Sequence, residues 1–261
     1  MSVKPIFDME QIQFNKRLIL DFYSRVIAQR DITQAHKIIA ENYIQHNPLI
    51  KSGRAGVTEV LEQLKQIPQD PTAASNNTLW LMGEGDLVGA YLKVDFLGQK
   101  QVVMDLFRIE EEYIVEHWDA IQSIDSQVFS DIPAIPMITN DLPTGDTIQN
   151  KEKIQAYLQE VWQQQHYNLL DNFVDSNTTF YHPNLGQGYM QLQEYQQQVT
   201  LQQVHRLIAE GDFVMAQCSV VIQEEAQVLY IAYRLAQGKI VGAWSVSQVI
   251  PAQMAHTNGM I

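Results

Sequence analysis

Cysteine occurs once in the 261 residues, at Cys218, so no disulfide can close within the chain and no cysteine-rich zinc site can be built. That residue sits in the strand-like run "FVMAQCSVVI" with no basic neighbour, and it reads as a small buried hydrophobe rather than a reactive thiol. Positive charge is scarce as well. Lys and Arg number 17 against 30 Asp and Glu, a formal net charge of -13 that divides into -6 over residues 1–130 and -7 over 131–261. The cations are scattered, and without a clustered basic face neither nucleic acid nor an anionic membrane surface is expected as a partner. No apolar run is long enough to span a bilayer, and "MSVKPIFDMEQIQF" carries two acids and no continuous apolar core, unlike a secretory signal. A Gly-rich phosphate loop and a G-x-S-x-G elbow are both missing. These absences point to a soluble protein in a reducing, cytoplasmic setting.

Apolar material is plentiful at 46%, enough for two packed domains. Ile12, Leu18, Ile19, Phe22, Tyr23, Val26 and Ile27 recur at three- and four-residue spacing, predicting a helix over Met9 to Arg30. Asp31 can cap a second helix over Ile32 to Ala40, and a third is expected from Ala55 to Ile67. After Pro68 and Pro71 the texture becomes strand-like, at about Thr78 to Met82, Leu87 to Phe96, Gln101 to Ile109 and Tyr113 to Ile124. The order then recurs: a helix over about Gln149 to Asp171, a short segment to Tyr181 and His182, a helix near Tyr189 to Val199, and strands near Gln203 to Ala209, Phe213 to Gln223, Gln227 to Ala236 and Lys239 to Ile250.

Shifting the chain by 126 residues lays Glu84-Gly85-Asp86 on Glu210-Gly211-Asp212, Arg108 on Arg234, Trp118 on Trp244, Gln122 on Gln248 and Ile124 on Ile250. One ungapped offset across four strands predicts a duplication. The expected organisation is a first domain over 1–130, a linker over 131–145 rich in Pro, Asp and Thr, and a diverged second domain over 146–261. The expected fold class is α+β: two tandem cone-shaped barrels, each with helices packed into a curved antiparallel sheet. Such copies could form a pseudo-dimer within one chain, and a homodimer is also possible.

The stretch "HWDAIQ", His117 to Gln122, places an imidazole and a carboxylate in a strand that otherwise reads as core. Alternation sets Val115, His117, Asp119 and Ile121 on one face and Ile114, Glu116, Trp118 and Gln122 on the other. If Glu110 to Glu112 form a three-residue turn, Asp105 lies opposite His117 and Val103 beside Asp119, with Phe107 on the same face. Two carboxylates and an imidazole in a pocket would push their pKa values apart, as in a general acid/base site; a buried hydrogen-bonded network joining strands is the alternative. His46, in "NYIQHNP", precedes a loop at the expected mouth of the first cone, and His182 is read as its positional echo. No spacing typical of a metal helix or finger is present, and neither a metal nor a cofactor is expected.

"MDLFRIEEEYIVEHWDAIQ" and the upstream "YIQHNPLIKSGRAGV" closely resemble the SnoaL-like, polyketide cyclase-like branch of the nuclear transport factor 2 (NTF2-like) superfamily. The likeness covers nearly all of the first repeat; in the second it is fold-level, resting on "GDFVMA" and "YRLAQGKIVGAW". The resemblance implies a cone-shaped barrel with a hydrophobic pocket and cofactor-free acid/base chemistry of the cyclase, isomerase or lyase kind on a small apolar carbonyl compound. It places the acid/base role on Asp119, with His117, Asp105 and His46 as partners and Tyr43, Val103, Phe107, Ile121 and Tyr233 as ligand contacts. Two departures stand out. The family's usual Gly-Lys at the hairpin is Glu112-Tyr113 in the first copy, and the second copy has Ile231, Ala243 and Ser245 in place of Asp105, His117 and Asp119. The second copy is therefore expected to be a structural partner or an apolar cavity. A non-catalytic pair of ligand-binding or scaffolding domains remains the competing expectation, since a fold does not fix a function.

Overall fold

A computed structural model describes residues 9–68, 78–96, 98–132, 135–136, 147–182 and 186–261. Most of the expected linker lies outside the described residues. The class is α+β, as expected. In chain order the elements are α1 (Met9–Asp21), continued by a π-helical turn (Phe22–Ile27), α2 (Ile32–Ile38), β1 (Ile39–Gln45), α3 (Arg54–Lys65), β2 (Thr78–Glu84), β3 (Leu87–Phe96), β4 (Gln99–Glu110), β5 (Tyr113–Ser123) and α4 (Ser126–Asp131). There follow α5 (Thr147–Tyr157) with its own π-helical turn (Leu158–Gln163), a 3-10 turn (Tyr167–Leu169), α6 (Leu170–Phe173), β6 (Val174–His182), β7 (Gly186–Gln187), α7 (Tyr189–Gln198), β8 (Val199–Glu210), β9 (Phe213–Ile222), β10 (Glu225–Ala236) and β11 (Lys239–Val249). No helix among the described residues is long and apolar enough to cross a membrane.

By contact density the chain divides into two units, one of residues 1–95, 105–119 and 251–261, the other of 96–104 and 120–250. The C-terminal segment Pro251–Ile261, placed by the sequence in the second domain, thus groups with the first unit. The strands form a five-stranded sheet, β1-β5-β4-β3-β2, and a six-stranded sheet, β7-β6-β11-β10-β9-β8. In the first unit Ile19, Phe22 and Val26 of the first helix, Ala35 and Ile38 of α2, and Val57 and Leu61 of α3 pack on Val88, Ala90, Phe107, Ile109 and Ile114 of the sheet. An equivalent core in the second unit joins Ile154, Tyr157, Val161 and Leu192 to Val214, Ala216, Ile231, Tyr233, Ile240 and Ala243.

Adding 126 to the bounds of β3, β4 and β5 reproduces those of β9, β10 and β11 residue for residue. The helical halves follow a different offset. Asn15 on α1 donates its side-chain amide to the carbonyl of Gly85, and Asn150 on α5 does the same to Gly211, which places the helices 135 residues apart while the turns remain 126 apart. β1 and β6, both absent from the sequence-based reading, obey the larger offset: Gln45 pairs with His117 and Phe180 with Ala243. The register corrects the expected echo of His46. Its counterpart is Tyr181, one residue after Phe180, and His182 corresponds to Asn47. A single ungapped shift could not show this, because the two halves differ in the length of chain between β1 and β2 and between their equivalents.

The β4–β5 hairpin turn has two residues, Glu111 and Glu112, both left-handed at φ 48° and 68°, and not the three expected. Strict alternation would then separate Asp105 from His117. A bulge restores the phase: in β10–β11 the pairing slips between Arg234 opposite Gly242 and Leu235 opposite Ile240, leaving Val241 extra. Val115 is its equivalent, and the first sheet shows the same consequence, since Ile114 belongs to the core that contains Phe107 while His117 stacks on Phe107 at 4.6 Å. Ile114 and His117 therefore share a side, which the sequence reading had assigned to opposite faces. A side chain at φ above zero carries a local cost of roughly 1–2 kcal/mol that glycine avoids. Glu112→Gly should accordingly raise stability by about 1 kcal/mol, read as an upward shift in the chemical denaturation midpoint, whereas Gly238→Glu at the equivalent second turn should lower it.

Candidate functional site

The loop between β1 and α3 is shaped by two glycines. Gly53 is left-handed at φ 85°, and at Gly56 an added Cβ would stand 1.9 Å from the Lys51 carbonyl oxygen. Lys51 approaches the first turn of α3 closely, and the loop returns to β1, where Gly53 N–H donates to the Tyr43 carbonyl at 2.7 Å. The Gln45 side chain gathers this loop, its Oε1 accepting from the backbone N–H groups of His46 and Asn47, both at 2.9 Å. The same oxygen accepts from His117 Nδ1 at 3.0 Å.

On its other side His117 Nε2 lies 2.8 Å from Asp105 Oδ1, and Asp105 Oδ2 accepts from the Tyr23 hydroxyl at 2.6 Å. Asp119 Oδ2 accepts from the Asn47 side-chain amide at 2.6 Å. Asp105, His117 and Asp119 are 6%, 7% and 4% exposed, so their partners in the protein replace the water they have lost. One atom does not conform. Asp119 Oδ1 is buried with no hydrogen-bond partner among the described residues.

Both ring nitrogens of His117 face acceptors, so the imidazole is fully satisfied only as a double N–H donor. Burial alone would push its pKa down, but the hydrogen bond and charge of Asp105, with Asp119 adding, outweigh it and the net shift is upward. Burial pushes the Asp119 carboxyl up to about 6; the His117 cation pulls it down, Asp105 reinforces the rise and the Asn47 amide opposes it. The Tyr23 and Tyr43 hydroxyls are raised well above the ordinary value by burial first and by the two carboxylates second, and remain neutral O–H donors. Asp105, His117 and Asp119 each bring a ligand atom within 4.8 Å of the others, compact enough to gather round a cation. The hydrogen-bond partners of His117, however, set it as a donor on both nitrogens, which is not the form that binds a metal.

The structure thus brings Asp105, His117 and Asp119 together as expected, but it places His46 elsewhere. His46 stacks on Trp118 at 5.0 Å, with Nε2 3.0 Å from Glu116 Oε1 and Nδ1 2.9 Å from the Gly259 carbonyl oxygen. It follows Gln45 on a strand whose side chains alternate, so it takes the side of Glu116 and Trp118 rather than that of His117. Of the expected ligand contacts, Phe107 and Tyr43 border the network: Phe107 stacks on His117, and the Tyr43 hydroxyl accepts weakly from Gln45 Nε2 at 3.4 Å. Val103 is buried and Ile121 half-buried in the parts of β4 and β5 that group with the second unit, and Ile121 donates its N–H to Gln248 Oε1. Tyr233 lies in the second core, edge-on to Tyr157 at 5.8 Å. Tyr23, Gln45 and Asn47 also belong to the site, and the sequence does not announce them, because a single polar residue on a helix, at a strand end or in a loop carries no signal until the fold aims it.

Gln122 and Gln248, 126 residues apart, have a reciprocal role. Gln248 Oε1 accepts from the backbone of Ile121, and Gln122 Oε1 accepts from the backbone of Ser247. Cys218 is buried, with its thiol pushed up to about 12, which agrees with the inert reading. The second unit also holds a cleft of mixed lining, with Lys151, His205, Arg206 and several glutamines beside Leu158, Val204 and Leu207.

At the structural equivalents of the network, Tyr23, Gln45, Asp105, His117 and Asp119 become Leu158, Phe180, Ile231, Ala243 and Ser245, and all five replacements are buried. The same frame therefore closes over four apolar side chains and one serine, and the charged network is not a requirement of the architecture.

No family model matches the chain, and no curated protein matches it. Among solved structures it is similar to a candidate ketosteroid isomerase from Kribbella flavida DSM 17836, at 14% identity over 40% of this chain and 81% of that one, with a TM-score of 0.36. An NTF2-like protein of unknown function from Cytophaga hutchinsonii matches at 15% identity over 38% and 89%, with a TM-score of 0.34. A candidate SnoaL-like polyketide cyclase from Jannaschia sp. CCS1 matches at 15% over 39% and 87%, with a TM-score of 0.35.

Proposed function

We propose that the first unit carries out cofactor-free acid/base chemistry on an enolisable carbonyl compound, with Asp119 as the proton carrier. The observation that supports this most directly is the buried, unpartnered Oδ1 of Asp119, on a carboxyl whose pKa is pushed up to about 6. An orphaned acceptor in an otherwise satisfied network is destabilising, and such a feature is a common mark of a working site. Oδ1 would take a proton from carbon alpha to a carbonyl, leaving the electron pair as an enolate. The enolate carbon then bonds to a second carbonyl carbon in the same molecule, and the alkoxide so formed recovers the proton from Asp119. Tyr43 supplies a neutral O–H near the developing charge. His117, held by Gln45 and Asp105, sets the field that keeps Asp119 able to ionise near neutral pH.

This is a SnoaL-like activity on a duplicated chain, with copies over 1–130 and 146–261 joined by residues 131–145, and with the polar site kept in the first copy alone. The single, buried thiol fits a cytoplasmic setting. A second reading has its own support: apart from one oxygen the site groups satisfy each other and are nearly sealed, as in a non-catalytic tandem that binds an apolar ligand or serves as a scaffold.

An assay that separates the two is deuterium uptake at the alpha carbon of acetylacetone and of aryl diketones in D2O, followed by proton NMR. The parent protein should accelerate exchange and Asp119→Asn should not. Equal rates for the two proteins would remove Asp119 from any mechanism, and no acceleration by the parent with any diketone would favour the binding reading.

A further inference from the structure

Pro251–Ile261 has no regular secondary structure, yet Met260 is only 2% exposed and the segment lies along residues 45–52 of the first unit. Ala255 N–H donates to the Pro48 carbonyl at 2.8 Å. His256 Nε2 donates to the Asn47 carbonyl at 2.9 Å, and its Nδ1 accepts the Asn258 N–H at 3.3 Å, so the ring is held as the Nε2–H tautomer. The Asn258 side-chain amide donates to the Gln45 carbonyl at 2.9 Å and to Ser52 Oγ at 3.0 Å. Gly259 offers its carbonyl to His46 Nδ1.

Gln45 and Asn47 are each held at both ends. Their backbone carbonyls are tied by Asn258 and His256, and their side chains hold His117 and Asp119. The loop has few backbone bonds besides these: His46 N–H to the His117 carbonyl at 3.0 Å, Ile50 N–H to the Asn47 carbonyl at 3.2 Å and Gly53 N–H to the Tyr43 carbonyl at 2.7 Å. We infer that His256 and Asn258 are positioning residues for the acid/base site: the C-terminal segment is a strap that fixes the backbone from which Gln45 and Asn47 aim at His117 and Asp119. The catalytic meaning of the strap rests on the function proposed above; the positioning itself does not. Partners one step removed from a reacting group set its orientation and basicity, and this site would receive them from a segment more than 200 residues away in sequence, the separation being 213 between Gln45 and Asn258.

The test uses the full-length chain carrying Asn258→Ala, a change at an exposed side chain, with His256→Leu as a second variant and His256→Gln as the conservative one that keeps an amide donor for the Asn47 carbonyl. Exchange with solvent of the His117 ring N–H protons and of the Asn47 side-chain amide is followed by NMR. Asn258→Ala and His256→Leu should each speed that exchange about three- to tenfold, the range expected for a lost hydrogen bond, while His256→Gln stays near the parent and the Val214 and Tyr230 amides of the second unit are unchanged. In the diketone assay the same two variants should lower kcat with little change in KM. Unchanged His117 and Asn47 exchange in Asn258→Ala, with the Ala255 amide shown to have lost protection, would overturn the inference. Faster exchange together with a parent that accelerates no diketone would keep the strap and discard the acid/base reading.

Discussion

Asp105→Ala should destabilise the protein by about 3–5 kcal/mol, because it leaves the buried His117 cation facing an emptied site and strips the Tyr23 hydroxyl of its acceptor. The double substitution Asp105→Ile with His117→Ala should cost distinctly less than the single change. Those are the residues found at the equivalent positions of the second unit, Ile231 and Ala243, where they are 1% and 0% exposed within a packed core. Removing both members of a buried pair removes the desolvation cost with the attraction, whereas removing one leaves the cost alone. Chemical denaturation of the parent, the single and the double variant at pH 6 measures this; a double variant as unstable as the sum of its parts would contradict it. The dependence on pH has a defined sign. The pKa of His117 is raised on folding, so its stabilising contribution is fully present below about 6.5, the ordinary histidine value, and is lost as the pH rises through the raised folded value. The gap between parent and Asp105→Ala should therefore narrow in alkaline buffer.

That the second unit can serve as the design for the double variant also shows how much the sequence discloses. Strands such as Leu87–Phe96 and Phe213–Ile222 are legible because runs of β-favouring apolar residues follow turn residues, Gly85-Asp86 and Gly211-Asp212. The grouping of Asp105, His117 and Asp119 is legible for the same reason, since ionisable residues interrupt an apolar face. Three things are not. β1 is short, parallel and closed by a loop, and its pairing with β5 depends on a partner about 70 residues away, so nothing local announces it. The bulge at Val115 changes the phase of a strand by one residue without any residue type that demands it. The strap is invisible because Gln45 at the end of β1, and Asn47, His256 and Asn258 in loops, are ordinary polar residues whose roles come from the meeting of segments that sequence order keeps apart. The expectation for His46 fails at the same point: it does precede the loop, but its direction is set by β1, which no local pattern announces.

Asp119→Asn should separate activity from stability. If Asp119 is the proton carrier, turnover of any substrate falls by about 100- to 10,000-fold, the usual contribution of a positioned acid or base. Asparagine is nearly the same shape, can still accept from the Asn47 amide, and carries no charge. In the parent the Asp119 carboxyl is pushed up to about 6 from an ordinary 3.8. Because the folded state holds this proton more tightly than the unfolded chain, the resulting stabilisation is present below 3.8 and is lost as the pH rises through about 6. At pH 7.5 the parent folds around an ionised carboxylate with one oxygen unpartnered, and the variant does not. Asp119→Asn should therefore be more stable than the parent at pH 7.5 by something on the order of 1–3 kcal/mol and indistinguishable from it at pH 4. Thermal melts of both proteins at the two pH values decide the matter. A variant less stable than the parent at pH 7.5 would mean that the carboxylate contributes to the structural network, while a gain in stability accompanied by loss of exchange activity is the trade-off expected where a site holds a charge that the fold alone would exclude.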